Sequence, residues 1–132
     1  MASRRKGRRL AVQALYSWDV GNIQEERLLD FDWYDRPEGE DLSFPSLLVQ
    51  GTLQQHNAVD ELISSQLEHW DMARLARVDL AILRVAVHCL RYQPDIPAQV
   101  TIDEAVELAK ELSTDEAYRF VNGVLDGVRK RL

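Results

Sequence analysis

Residues 75–92 read Leu75-Ala76-Arg77-Val78-Asp79-Leu80-Ala81-Ile82-Leu83-Arg84-Val85-Ala86-Val87-His88-Cys89-Leu90-Arg91-Tyr92. Across residues 73–92, Leu75, Val78, Ile82, Val85, Ala86 and Cys89 recur at steps of three or four, with a single step of one. That is the period of an amphipathic helix with one apolar face. Pro94-Asp95-Ile96-Pro97 ends it and makes a rigid link, because a residue before proline leaves helical backbone.

The same period extends in both directions. Upstream, residues 42–70 predict helix in two pieces with a break near His56-Asn57. Asp41 or Ser43 can cap the first piece, and Pro45 is tolerated in its first turn. Downstream, Thr101-Ile102-Asp103-Glu104 and Ser113-Thr114-Asp115-Glu116 have capping-box spacing and predict two helix starts. Ala105, Leu108, Ala109 and Leu112 follow the first; Phe120, Val121, Val124, Leu125 and Val128 follow the second. Asn122-Gly123 is a hairpin dipeptide elsewhere, but the helical period runs through it. Gly123 is therefore expected to permit close helix packing.

Residues 4–20 predict a first helix, stopped by Gly21-Asn22. Residues 19–41 hold nine acids against Arg27 and Arg36. They read as a solvated loop with a short helix near 24–30, pinned to the core by Trp33 and Tyr34. No stretch alternates with period two. The reading is all-α, with about six or seven helices.

Composition limits the function. The chain has 132 residues, 45% apolar and 29% charged, with 6 Gly and 4 Pro. That suits one domain and excludes collagenous, low-complexity and fully disordered classes. Cys89 is the single cysteine, so neither an intrachain disulfide nor a cysteine zinc site is available. No apolar run approaches the ~18 residues of a membrane helix. A secretory signal is not expected, because Gln13 and Asp19 interrupt the apolar stretch. A transit peptide is disfavoured because the basic segment runs into core-like residues. The expectation is a cytoplasmic protein.

Charge is unevenly placed. The net charge is −6, yet Arg4, Arg5, Lys6, Arg8 and Arg9 fall within the first nine residues. Five of the 16 basic residues lie there, which leaves 11 against all 22 acids. A cationic arm thus precedes an acidic body, and such an arm suits nucleic acid, an anionic membrane or an acidic protein. On a helical wheel, Leu10, Ala14 and Trp18 share one side, flanked by Ala11. Arg5, Arg9, Val12 and Tyr16 share the other, with Arg8 nearby. Cations beside a ring that can stack a base are what single-stranded RNA binding uses. Packing of Tyr16 on a neighbouring helix is the competing reading. Arg119-Phe120 offers a second cation–aromatic pair, with Phe120 as readily core as contact.

Catalytic and metal signatures are not seen. His56, His69 and His88 have no metal-ligand spacing. Adjacent His88 and Cys89 point apart on a helix and make no dyad. No phosphate loop or nucleophile elbow occurs. Glu104, Glu107 and Glu111 share a helical face and read as solvated carboxylates near a helix N-terminus. Neither enzyme activity nor a cofactor is expected.

Four motifs, in order, resemble one family. They are Arg4-Arg5-Lys6-Gly7-Arg8-Arg9-Leu10-Ala11-Val12-Gln13-Ala14-Leu15-Tyr16-Ser17-Trp18, Arg77-Val78-Asp79-Leu80-Ala81-Ile82-Leu83-Arg84, Ile102-Asp103-Glu104-Ala105-Val106-Glu107-Leu108-Ala109-Lys110, and Phe120-Val121-Asn122-Gly123-Val124-Leu125-Asp126. Together they are similar to the bacterial NusB family of transcription antitermination factors. Residues 22–73 resemble it in helical character alone.

The resemblance implies two packed helical subdomains, approximately residues 1–70 and 71–132. It implies binding of the single-stranded boxA element of ribosomal RNA leader transcripts. It also implies a heterodimer with NusE, a small-subunit ribosomal protein, inside an RNA polymerase antitermination complex. Some family members self-associate, so a homodimer stays open. Arg4, Arg5 and Arg8 match arm positions that meet RNA, and Tyr16 matches an aromatic near RNA and NusE. Asp79 matches an acidic position facing NusE; Phe120 and Glu116 match positions near the RNA–partner surface. Lys6 and Arg9 join the expected RNA-binding set by charge. Gly7 replaces a usual Ala and Arg9 a common acid, which predicts a looser, more cationic arm. The alternative is a helical protein-interaction module without specific RNA binding.

Overall fold

The structure, a computed structural model, describes residues 3–68 and 71–132. Among them are seven α-helices: α1 (Arg4–Gly21), α2 (Glu25–Asp30), α3 (Ser43–Gln54), α4 (His56–Ser64), α5 (Arg77–Tyr92), α6 (Ala98–Leu112) and α7 (Ala117–Arg131). The all-α expectation holds. None of the described helices is long and apolar enough to cross a membrane.

Helix α5 is the axis of the fold. Every residue from Asp79 to Cys89 on it is buried, and α1, α3, α4, α6 and α7 all pack around it. One apolar cluster runs through the whole arrangement, from Leu10 and Leu15 through Leu48 and Ile82 to Leu125. The buried charge on α5 is neutralised locally. Arg84 donates to both carboxylate oxygens of Asp60 at 2.9 and 3.0 Å, meets Asp19 at 3.5 Å, and lies 5.3 Å from the Trp18 ring. A buried guanidinium requires such pairing.

Helix α1 begins where Ser3 caps it. The Ser3 hydroxyl accepts the Lys6 N–H at 3.1 Å, and Asn22 closes the far end in the left-handed conformation. The break between α3 and α4 falls at Gln55, as the 42–70 pattern predicts. Helix α4 ends at Ser64, short of the expected reach to Trp70; His69 and Trp70 lie outside the described residues.

Several local expectations are corrected. Val12 is 2% exposed, so it belongs to the core and the cationic side of α1 is narrower than the wheel suggested. In the acidic segment, Leu28 and Phe31 are the buried anchors, while Trp33 stays 39% exposed. Tyr34 does tie the segment down, because its hydroxyl donates to Glu40 at 2.9 Å. Leu75 is buried but precedes α5, after a single 3₁₀ turn at Met72–Arg74.

The two capping boxes do not start helices. Helix α6 starts at Ala98, directly after Pro97, and Thr101 is a buried interior residue. Proline fixes its own φ near helical values, so it starts the helix without a side-chain cap. Helix α7 starts at Ala117, and Ser113 bonds instead to Asp79. Asn122-Gly123 is helical as expected, but a Cβ on Gly123 would meet nothing within 4 Å. Close approach occurs elsewhere. A Cβ on Gly7 would lie 2.6 Å from Phe44 Cδ2, and one on Gly51 would lie 2.6 Å from His88.

Candidate nucleic-acid interface

The cationic arm is the first two turns of α1. Its guanidinium and ammonium groups are already engaged. Arg4 lies 4.2 Å above the Phe44 ring centroid. Arg5 Nε and Nη2 donate to the two carboxylate oxygens of Glu104 at 3.3 and 3.4 Å. Arg8 Nη1 lies 3.9 Å from the same carboxylate, and its guanidinium is 5.8 Å from Phe44. Arg9 Nη2 meets Glu111 at 3.0 Å. Lys6 Nζ meets Glu40 at 3.1 Å.

Buried Gly7 explains the docking. Without a side chain there, Phe44 and Pro45 press against α1 and hold its first turns on α3. The expectation that Gly7 loosens the arm is therefore reversed. Here glycine is a packing requirement, and Phe44 supplies the ring that receives Arg4.

Three pairs link α1 to α6, with Arg5 and Arg8 at Glu104 and Arg9 at Glu111. Glu104 and Glu111 are thus more than solvated carboxylates. Glu104 raises the Arg5 pKa above its ordinary value, first by hydrogen bonding and then by charge. The Lys6 pair is different in kind. Glu40 is buried, 5% exposed at its side chain. Its burial pushes the carboxyl up, but hydrogen bonds from Lys6 and Tyr34 outweigh that and leave it lowered. Lys6 in turn is raised, chiefly through the Tyr34 hydroxyl and then Glu40.

Tyr16 lies about 16 Å along α1 from Arg5 at the usual helical rise. It is 38% exposed and borders an open cavity of about 480 Å³. Gln13, Ser17, Trp33, Tyr34 and Leu112 line the same space. Trp33, expected to pin the acidic segment to the core, stands at this mouth.

The other expected residues lie on α5, on α7 and in the turn before α7. Asp79 is buried in the first turn of α5, with its Oδ1 accepting from Ser113 Oγ at 2.6 Å. Glu116 is exposed before α7 and pairs with Arg119 at 3.3 Å. Phe120 is half-buried against the core. Arg119 does not use Phe120 as its ring. Its guanidinium lies 5.7 Å from Tyr118, whose hydroxyl accepts from Arg119 Nε at 3.1 Å.

The NusB family profile matches residues 5–130. The chain belongs to the NusB family. A relative from Treponema pallidum (strain Nichols), the transcription antitermination protein NusB, is 48% identical over 130 residues, covering 96% of this chain and 92% of the relative. The NusB structure from T. maritima superposes with a TM-score of 0.86 at 34% identity, covering 98% of this chain and 92% of that one. A chain in the crystal structure of antitermination factors NusB and NusE in complex with dsRNA gives a TM-score of 0.81 at 22% identity, covering 98% and 97%. At that identity the likeness is one of fold. The NusB resemblance carried by the four motifs is therefore correct.

Carboxylate partners for the arm were missed in the sequence. Glu104 and Glu111 stood out as a shared face, but nothing local indicated that α1 lies across from it. Phe44 carried no signal beyond its apolar character.

Proposed function

We propose that this chain is a non-catalytic, cytoplasmic RNA-binding adaptor in transcription antitermination. It binds the single-stranded boxA RNA of ribosomal RNA leader transcripts together with NusE, within the RNA polymerase antitermination complex. The observation that carries this reading is the α1 strip. Arg4, Arg5, Arg8 and Arg9 line its first turns, and exposed Tyr16 lies further along.

The arginines offer planar forks that match phosphate oxygens. Arg4 and Lys6 grip phosphates from the first turn, and Lys6 does so while tethered to Glu40. Tyr16 supplies a ring on which a base can stack, beside a cavity large enough to receive it. Phe120 extends the RNA surface. Tyr16, Asp79 and Glu116 form the NusE side, with Asp79 acting through its tie to Ser113. The acidic remainder of the chain repels RNA and confines it to the strip. NusE brings a second RNA-contacting surface beside the first, and two linked modest affinities exceed either alone.

The test is fluorescence anisotropy of labelled boxA RNA against a scrambled RNA of equal length, with and without NusE. A preference for boxA that sharpens with NusE supports the reading. Equal weak binding to both RNAs overturns it in favour of a protein-interaction module.

A further inference from the structure

Two of the carboxylates that hold the strip can be reached from solvent. Glu111 and Arg9 are 42% and 39% exposed at their side chains, and Glu104 and Arg5 are 21% and 56% exposed. They differ from buried Glu40, whose bond to Lys6 belongs to the packing of the acidic segment. A carboxylate presents two oxygens to a guanidinium in the same plane as a phosphate does. Arg5 uses that fork on Glu104, and Arg9 reaches Glu111 at 3.0 Å.

We infer that Glu104 and Glu111 are internal competitors for the RNA site. They occupy Arg5, Arg8 and Arg9 as phosphate surrogates, and RNA must displace them. The inference rests on the RNA-binding reading of α1.

The consequence is a threshold on binding. Non-specific affinity for nucleic acid comes almost entirely from phosphate charge. When each phosphate contact replaces a carboxylate contact, most of that gain cancels. What remains must come from base stacking, base-edge contacts, or the RNA-binding surface of a partner. A helical protein with an arginine-rich face thereby avoids coating itself with any available RNA. Salt makes the exchange visible. Added salt weakens Arg–phosphate contacts, but it also weakens the Arg–Glu pairs that oppose them. The affinity of the unaltered protein therefore falls with salt less steeply than the ~0.7 per neutralised phosphate expected of a free cationic strip.

The experiment compares the full chain with Glu104→Gln/Glu111→Gln, titrating labelled boxA RNA and a scrambled strand of equal length across salt concentrations. Glu26→Gln/Glu61→Gln serves as a charge-matched control away from α6. The Glu104→Gln/Glu111→Gln chain is expected to bind both RNAs about three- to tenfold more tightly, from the usual size of exposed ion pairs. Its salt slope should steepen, and the control should show neither change. Should the double variant fail to melt cooperatively, Glu111→Gln alone is expected to give a smaller gain in the same direction. Unchanged or weaker binding and an unchanged slope, while Arg5→Ala/Arg8→Ala still lowers affinity, overturn the inference and leave the RNA reading standing. Wild-type binding that survives Arg5→Ala/Arg8→Ala undiminished overturns both.

Discussion

Asp79 and Ser113 are joined by a 2.6 Å hydrogen bond that fastens the start of α5 to the turn between α6 and α7. Asp79 is therefore a structural residue before it is a partner residue. Ser113→Ala leaves a buried carboxylate without its donor, which costs about 1–3 kcal/mol. A thermal melt reads that loss. Asp79→Arg should impair NusE pairing more than RNA binding. If the melting loss of Asp79→Arg matches that of Ser113→Ala while NusE affinity holds, Asp79 serves the fold alone.

Gly7→Ala sets two effects against each other. Alanine improves helix propensity by ~1 kcal/mol over glycine. Its Cβ, however, would sit 2.6 Å from Phe44 Cδ2 and 3.4 Å from Pro45 Cδ. Overpacking of a well-filled contact costs ~1–3 kcal/mol, and Phe44 also carries Arg4 on its ring. A net loss of stability is expected by denaturant titration. Phe44→Leu should relieve the clash and recover part of it. A more stable Gly7→Ala protein would show that Phe44 yields freely.

Why these features escaped the sequence is a matter of range. Helix existence was legible because Ile82, Val85 and Cys89, or Val121, Val124 and Val128, repeat at a period fixed by one helix alone. The stop at Asn22 was legible because Gly21-Asn22 is local stop chemistry that needs no tertiary contact. The starts of α6 and α7 were not, because Thr101 and Ser113 have capping chemistry that tertiary contacts put to other use. Trp33 and Phe31 are both aromatic by composition, and nothing local reports that Phe31, in a left-handed turn, is buried while Trp33 is exposed. The strip itself was half legible: its cations and Tyr16 lie on one segment. Their counter-charges lie about a hundred residues away, and no local rule reports that Arg5 faces Glu104.

Stability should depend on pH through Glu40 and Lys6. Glu40 has its folded-state pKa below the ordinary value of 4.5. Its contribution is complete above the unfolded pKa and is lost as pH falls through the depressed one. Lys6 is raised above 10.5, so its contribution holds below that value and is lost as pH rises through the raised one. Melting temperature against pH should show both shoulders. Glu40→Gln should flatten the acid shoulder and shrink the alkaline one, since the two groups share one bond. An unchanged acid limb would assign acid denaturation to other carboxylates.

Cys89 should be inert. Burial pushes its thiol up to about 11, against a small opposing pull from Arg8. The thiolate is the reactive form, so a disulfide reagent at neutral pH should modify Cys89 only at the rate of global opening. Denaturant should release the reaction at once. Fast labelling of the folded chain would mean that the α1–α5–α6 junction opens locally.

Tyr16 separates recognition from folding. Its ring is 38% exposed beside Trp33 at the cavity mouth, while its neighbours Ala14 and Leu15 are fully buried. Tyr16→Ala should therefore cost about 1 kcal/mol in the melt, well below the ~3–5 kcal/mol of a fully buried aromatic. If a base stacks there, RNA affinity should fall by ~1–3 kcal/mol. Trp33→Ala should add a further loss if the base lies between both rings, and nothing if Tyr16 acts alone. The effect should keep its size as salt rises, unlike that of Arg5→Ala, because stacking involves no counterion release. A Tyr16→Ala loss that fades with salt would mean that the ring only supports the arginines; full RNA affinity in the variant would leave Tyr16 to the NusE side.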